Sequence, residues 1–387
     1  MTTPTSVYVH FPWCLRKCPY CDFNSHKTER DEVPHEGYAD AVLRELDQRR
    51  SSLRGRHLET VFFGGGTPSL WAPAALGRVL AGILEAFPET CPESRDVEVT
   101  VECNPTSLDR ARAAELRALG VNRVSIGVQS LDADRLKFLG RLHDGPSALE
   151  AVRSALLEIP RVSADLIFGV AGQKPEDARA ELEQVLETGV QHVSAYALTI
   201  ESGTQFGELH KKGKLPLAPE DHVAETYLEV ERTLTSAGLH HYEVSNYAVP
   251  GQEARHNFHY WRGGAYLGLG AGAVGCLDGV DGTASRWRDE PLPARYLERA
   301  GAAGLEAERE DLNAEDRIKE RLLLGLRTRE GVDLRAFGAS LGIDAVSPRR
   351  AAIQRRLGRG ELIVEGDVLR IPHEHWLKLD SIILDLF

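Results

Sequence analysis

Between residue 6 and about residue 240 the chain alternates short apolar runs with longer segments whose apolar residues recur at helical spacing. The runs Ser6–Pro12, Thr60–Gly64, Val97–Cys103, Arg123–Gln129, Val162–Phe168 and His192–Leu198 are rich in Val, Ile, Phe and Tyr and predict strands. Tyr38–Arg50, Pro73–Phe87, Asp109–Leu119, Pro146–Glu158, Pro175–Glu187 and Pro219–Ala237 predict helices; in the third, Leu116, Leu119 and the surrounding alanines set the period. Gly120, Gly189 and Gly238 fall just past helix ends, where a left-handed residue commonly closes a helix. Six β/α units in series predict a parallel sheet with helices outside it. Six rather than eight suits a partial (β/α)6 barrel, open on one side, with its ligands at the C-terminal ends of the strands.

The pattern then changes. Residues 241–311 read as an irregular connecting region, with His241-Tyr-Glu-Val-Ser-Asn-Tyr247, His256-Asn-Phe-His-Tyr-Trp261 and a Gly-rich run over 263–275 that reads as a set of tight turns. Residues 312–387 read as a small α+β, winged-helix-like domain. Asn313 is placed to cap a helix through Arg317–Leu326, Ala351–Leu357 predicts another, and Glu365-Gly-Asp367 is a hairpin signal between two short apolar runs. Arg349, Arg350, Arg355, Arg356 and Arg359 read as a solvated helix face in preference to an anion-binding edge. The expected division is therefore 1–240, 241–311 and 312–387.

Composition narrows the class. The chain has 387 residues, with 42% hydrophobic and 27% charged residues, in the range of globular proteins. A net charge of −12 argues against a nucleic-acid partner, which calls for a basic face. No apolar run reaches the ~18 residues of a membrane span, and no basic-then-apolar leader opens the chain. Of six cysteines, Cys91, Cys103 and Cys276 are scattered and Cys14, Cys18 and Cys21 are clustered, which is not a disulfide framework and fits a reducing cytoplasm.

The clustered three carry the chemistry. Cys14-Leu-Arg-Lys-Cys18-Pro-Tyr-Cys21 is a CxxxCxxC loop directly after the first predicted strand, hence on the ligand face of the barrel. A structural zinc or ordinary ferredoxin site takes four protein ligands. Three thiolates can hold three corners of a [4Fe-4S] cluster and leave one iron open to an amine and a carboxylate. Glu102 and Asn104 share a strand face, so Glu102 points inward and Cys103 outward among packing residues. Asp165, within an apolar run, needs a hydroxyl or a cation as partner.

These residues, with Tyr8-Val-His-Phe-Pro-Trp-Cys14, Gly64-Gly-Gly-Thr-Pro-Ser69, Glu102-Cys-Asn-Pro105, Ser125-Ile-Gly-Val-Gln-Ser130, Asp165-Leu-Ile-Phe-Gly169 and His256-Asn-Phe-His-Tyr-Trp261, resemble the coproporphyrinogen-III-oxidase-like branch of the radical S-adenosylmethionine (SAM) superfamily over essentially the full length, and within it the HemW-type heme chaperones. The resemblance implies a [4Fe-4S] cluster on Cys14, Cys18 and Cys21, and SAM contacts from Tyr8, Tyr20, Gly65, Gly66, Thr67, Glu102, Gln129, Arg141 and Asp165. It implies one-electron cleavage of the SAM sulfonium as the available chemistry. It also implies heme as a further cofactor, apo-hemoprotein recipients, some of them at membranes, and a homodimer.

Two functions share this scaffold: heme delivery, and the oxygen-independent oxidation of coproporphyrinogen III. The oxidases carry a further cysteine two residues after the third, where this chain has Phe23, and a longer N-terminal extension, where this chain has thirteen residues before Cys14. The HNxxYW stretch at 256–261 belongs to the chaperone branch, so the resemblance implies that the oxidase activity is lacking. On chemistry alone His256 and His259 are both candidate heme ligands, Cys276 is a thiolate alternative, and aromatic packing against the barrel mouth is the other role open to this stretch; the resemblance favours His256. There is no CxxCH for covalent heme attachment.

Overall fold

The computed structural model describes residues 2–88, 97–279 and 281–387, which leaves Cys91 outside the described residues. The six expected strands are present and parallel: β1 (Thr3–Phe11), β2 (Arg56–Gly65), β3 (Glu98–Cys103), β4 (Arg123–Gln129), β5 (Arg161–Phe168) and β6 (His192–Ala197). The connecting helices run His35–Arg49, Pro73–Ala86, Arg110–Ala118, Gly145–Leu156, Pro175–Leu186 and Glu220–Ser236. Asp109 and Asp144 accept the backbone N–H of Arg112 and Ser147, which starts two of them. Gly120, Gly189 and Gly238 all have positive φ just beyond a helix end, as expected. Each helix lays an apolar stripe on the outside of the sheet. On Pro73–Ala86, Leu76, Val79, Leu80 and Ile83 are buried, and each contributes about 1.5–3 kcal/mol.

The segment expected to be irregular is instead the rest of the sheet. β7 (His240–Glu243) and β8 (Asn246–Ala248) extend it antiparallel beyond β6. At the other edge β9 (Ala265–Leu269) lies parallel to β1, followed by antiparallel β10 (Val274–Asp278), β11 (Ala284–Asp289) and β12 (Glu306–Leu312). The order is β12-β11-β10-β9-β1-β2-β3-β4-β5-β6-β8-β7, so the twelve strands do not close into a ring. The Gly-rich run is half strand. Gly268 is needed in β9 because a Cβ there would lie 2.2 Å from the Val274 carbonyl oxygen. The edge strand β12, Glu-Ala-Glu-Arg-Glu-Asp-Leu, is exposed and charged, a composition that discourages pairing with another chain and also hides it from a search for alternating apolar residues.

Residues 312–387 have their own core, built on Ile318, Leu322, Leu369, Trp376, Ile382 and Ile383. Asn313 caps Ala314–Gly325 as expected, and Ile363–Glu365 pairs with Val368–Arg370 around the predicted turn. The basic cluster is not a uniformly solvated face. Arg349 is buried against Glu315 and the Ala345 carbonyl, and Arg355 and Arg356 both reach Asp385. The unit docks on β7 through backbone bonds from Val244 to Arg327 and from Arg329 to Tyr242.

Candidate functional site

Alternation along the strands sorts two kinds of residue. Val7, Val9, Val61, Phe63, Val99, Val101, Val124 and Ile126 point outward into the helix layer and are buried there. The intervening residues point inward and are mostly polar: Thr100, Glu102, Arg123, Ser125, Ser163, Asp165, His192 and Ser194. Side chains this short and polar do not fill the barrel. They line a cavity of about 1210 Å³ that runs from the cysteine loop to the Arg255–Trp261 helix.

The cysteine loop leaves the C-terminal end of β1, where Trp13–Cys14 pairs with His26–Lys27. Cys14, Cys18 and Cys21 are half-buried free thiols that line the same cavity. The Thr67 hydroxyl donates to Cys14 Sγ at 3.4 Å and Arg141 Nη1 to Cys18 Sγ at 3.5 Å. Burial pushes the Cys14 thiol up to about 11 and raises Cys21 as well. A bound cation would reverse that cost, since metal coordination deprotonates a thiol outright. Half-exposed thiols that gather on one loop, with N–H and O–H donors aimed at them, fit an iron–sulfur cluster. Phe23, on the rim, is 56% exposed. Cys103 is buried in the outward layer, as expected, and Cys276 lies on β10 opposite Tyr266 and does not line the cavity.

At the end of β2 the Gly-Gly-Thr turn presses against that loop. Its N–H groups are all taken inside the protein: Gly65 by the Glu102 carboxylate at 2.9 Å, Gly66 by Phe11 O and Thr67 by Trp13 O. An ammonium ligand would therefore be received by carbonyl oxygens, the acceptors it needs. Gly65 has φ +106°, and a Cβ there would sit 2.5 Å from the His10 ring. A Cβ on Gly66 would be 2.5 Å from the Trp13 carbonyl oxygen. Glycine in this turn thus serves the packing of the loop as much as access for a ligand.

Two carboxylates face the cavity. Burial, with the nearby Asp165 charge adding to it, raises Glu102 to about 8 against the pull of the Gly65 N–H. Burial likewise raises Asp165 to about 6, although Ser125 Oγ donates to both its oxygens at 2.9 Å. Both are acids held short of a cation. Arg141 gives Nη2 to Gly127 O at 2.9 Å and leaves Nε buried without a partner. Gln129 sits at a bulge with φ +64°, rare for a residue with a side chain. Tyr8 donates its hydroxyl to His10 Nδ1, whose Nε2–H goes to Asn24 O at 2.7 Å. Tyr20, beside Cys18 and Arg141, is pushed up by burial. The expected SAM residues thus surround one chamber.

The HNxxYW stretch is the short helix Arg255–Trp261, and it closes the far end of the barrel rather than the mouth. Arg123, buried, holds the approach to it: Nε binds Glu98 at 2.9 Å, and Nη2 binds the carbonyls of Gln252 and Glu253 at 2.9 and 2.8 Å. Glu98 in turn accepts the His256 N–H at 3.1 Å. The two histidines then part company. His259 has both ring nitrogens engaged, by Glu59 at 2.8 Å and Ala265 O at 2.7 Å. His256 Nδ1 meets Thr60 Oγ1, whose own proton goes to Ser6, so Nδ1 carries the hydrogen and Nε2 keeps its lone pair. Nε2 is buried with no partner, and burial keeps the ring neutral. Phe62 stacks on it at 4.8 Å and Tyr260 meets it edge-on at 4.9 Å.

Sequence reasoning missed Gly127, His10, Asn24 and the Arg123–Glu98 pair. Gly127 had a signal, its place two residues before Gln129: a Cβ there would crowd Gln129 Nε2 at 2.8 Å and Arg141 Nη2 at 3.2 Å.

Residues 8–185 match the radical SAM superfamily, and residues 312–377 match the HemN C-terminal domain. Heme chaperone HemW of Escherichia coli is 36% identical over 388 residues, covering 99% of this chain and 98% of that protein. Heme chaperone HemW of Mycobacterium tuberculosis is 36% identical over 386 residues, covering 99% and 95%. A mitochondrial radical S-adenosyl methionine domain-containing protein 1 of Danio rerio is 36% identical over 386 residues, covering 98% and 86%. Among solved structures, the coproporphyrinogen III oxidase HemN of E. coli overlays with a TM-score of 0.82 at 21% identity, covering 100% of this chain and 90% of that one, which shows a shared fold.

Proposed function

The chain belongs to the HemW heme-chaperone family of the radical SAM superfamily, and from that premise we propose that it binds heme and delivers it to apo-hemoproteins. Radical SAM membership brings a [4Fe-4S] cluster and SAM; we assign the cluster to Cys14, Cys18 and Cys21 alone. When bound, these cofactors supply one-electron chemistry. The residues position and insulate them. Glu102 and Asp165 receive the cationic and hydroxyl groups of SAM, the Gly65–Thr67 carbonyls its ammonium, and the spare Arg141 donor its carboxylate. Gln129 and Tyr8 line the same chamber, and Tyr20 closes its wall.

The observation that carries the heme assignment is His256. Its imidazole is neutral, its Nδ1 is fixed on Thr60 and its Nε2 lone pair has no partner, the state of an axial ligand. Phe62 stacks on the face of the ring and holds its plane, leaving the in-plane lone pair uncovered by it. Among the described residues no helix is long and apolar enough to cross a membrane. We place the protein in the cytoplasm, acting as a homodimer on recipients that include membrane-bound ones.

The test is an anaerobic heme titration of cluster-loaded protein followed by absorbance, beside a His256→Ala variant. Saturable binding that the variant loses supports the proposal. Equal binding by the variant removes His256, and turnover of coproporphyrinogen III by the reduced, loaded protein replaces heme delivery with the oxidase function.

A further inference from the structure

A second cluster of ligating side chains lies outside the cavity, at the seam between the barrel and the C-terminal unit. Glu231 comes from the Glu220–Ser236 helix, His241 from β7, and His373 from the turn ahead of the last helix. One ligating atom from each lies within 4.8 Å of the others. His241 Nδ1 is 3.0 Å from His373 Nε2, which is 2.8 Å from Glu231 Oε1. The edge of a tetrahedron with bonds of about 2.1 Å is roughly 3.4 Å, so the two contacts to His373 need open by only a few tenths of an ångström, and Glu231 and His241, within 4.8 Å, flank the same ion.

The protons favour the same conclusion. His241 Nε2 faces the Val244 carbonyl at 3.3 Å, so its hydrogen sits there and Nδ1 presents a lone pair. His241 is buried, whereas the side chains of Glu231 and His373 are 18% and 29% exposed, which leaves one side open to an entering ion and a water.

A separate observation points to a missing guest. The phenol oxygens of Tyr227 and Tyr247 and one oxygen of Glu243 are buried beside this cluster without any partner. Tyr247 lies face to face with His241 at 4.1 Å, and Tyr227 is 6.1 Å from it. Buried polar atoms are rarely left so. A metal-bound water is both donor and acceptor for such groups, and hydrogen bonding within the triad alone does not reach them.

We propose that Glu231, His241 and His373 form a zinc site that ties the C-terminal unit to the barrel. Two imidazole nitrogens and a carboxylate oxygen, with water as fourth ligand, suit Zn²⁺ in tetrahedral geometry. Glu231 and His241 belong to consecutive elements of the barrel and His373 to the C-terminal unit, so the ion would bind the docked form and not a chain in which the unit has swung away.

The full chain is loaded with its cluster anaerobically, stripped with a chelator, exposed to Zn²⁺ and desalted, and iron and zinc are counted in the same sample. Loading first keeps the Cys14 loop from taking zinc. One retained zinc per chain, absent from His373→Asn and Glu231→Gln at unchanged iron content, is the expected result. Zinc should also raise the thermal midpoint of the wild type by a few degrees and leave that of His373→Asn unmoved. Failure of the wild type to retain zinc, or equal retention by His373→Asn, overturns the site. His373 is partly exposed, so its replacement leaves folding intact, and the iron count reports this.

Discussion

Replacing Arg123 by Met tests how the floor of the barrel is held. Arg123 and Glu98 are both fully buried, and the guanidinium makes one carboxylate bond, two carbonyl bonds and a longer one to the Ser163 hydroxyl at 3.5 Å. Methionine fills most of the volume and supplies no donor. Glu98 would keep the His256 N–H at 3.1 Å and Arg161 at 3.8 Å, too little to offset a buried charge. Removing one partner of a buried pair costs about 3–5 kcal/mol. The two orphaned carbonyls press toward the upper end of that range, at roughly 1 kcal/mol or more each. Urea unfolding of ligand-free protein at neutral pH measures the loss. Adding Glu98→Gln in the same chain removes the stranded charge but keeps an acceptor for His256 N–H, so the double variant should recover about half of the loss. A single variant within about 1 kcal/mol of wild type, or a double variant no better than the single, refutes the claim that this pair holds the floor.

Stability should depend on pH through the two raised carboxyls. Glu102 and Asp165 bind protons more tightly in the folded than in the unfolded chain, so ligand-free protein loses stability as pH rises from about 4 to about 8, and Glu102→Gln flattens the upper part of that slope in a urea series. SAM affinity should rise over the same upper range, because a cation prefers ionised Glu102; calorimetry across pH that finds no rise counts against the contact. Gly127→Ala, which displaces Gln129 and Arg141, should weaken SAM binding about tenfold, or ~1.4 kcal/mol, with iron content unchanged. His259→Ala should cost about 1–3 kcal/mol in unfolding yet leave heme binding intact, the reverse of His256→Ala.

The β/α half of the fold is legible because the helix-facing layer is so apolar. Val61, Phe63, Val99, Val101, Val124 and Ile126 mark their strands whatever lies on the other face. The cysteine loop is legible from spacing, and Glu102 from the parity of its strand. The other half of the sheet is not. β7 and β8 are four and three residues long, and β12 carries five charges in seven residues. Nor does the stretch 256–261 tell its two histidines apart. They lie three apart on one short helix, and only the tertiary partners, Thr60 for one and Glu59 with Ala265 for the other, leave one lone pair free. Arg123 opens a predicted strand and carries no further signal in sequence, and the buried Glu98 beside it is what makes it structural.

The hollow polar barrel has a consequence for the lifetime of the protein in a cell. A ligand held only by the folded form adds RT ln(1 + [L]/Kd) to its stability, about 2.7 kcal/mol at a hundredfold excess over Kd. Guests that occupy a 1210 Å³ interior complete the core as well as the chemistry. A chain without its cluster and SAM should therefore open more often and be the better target for proteases, so its lifetime should follow its loading.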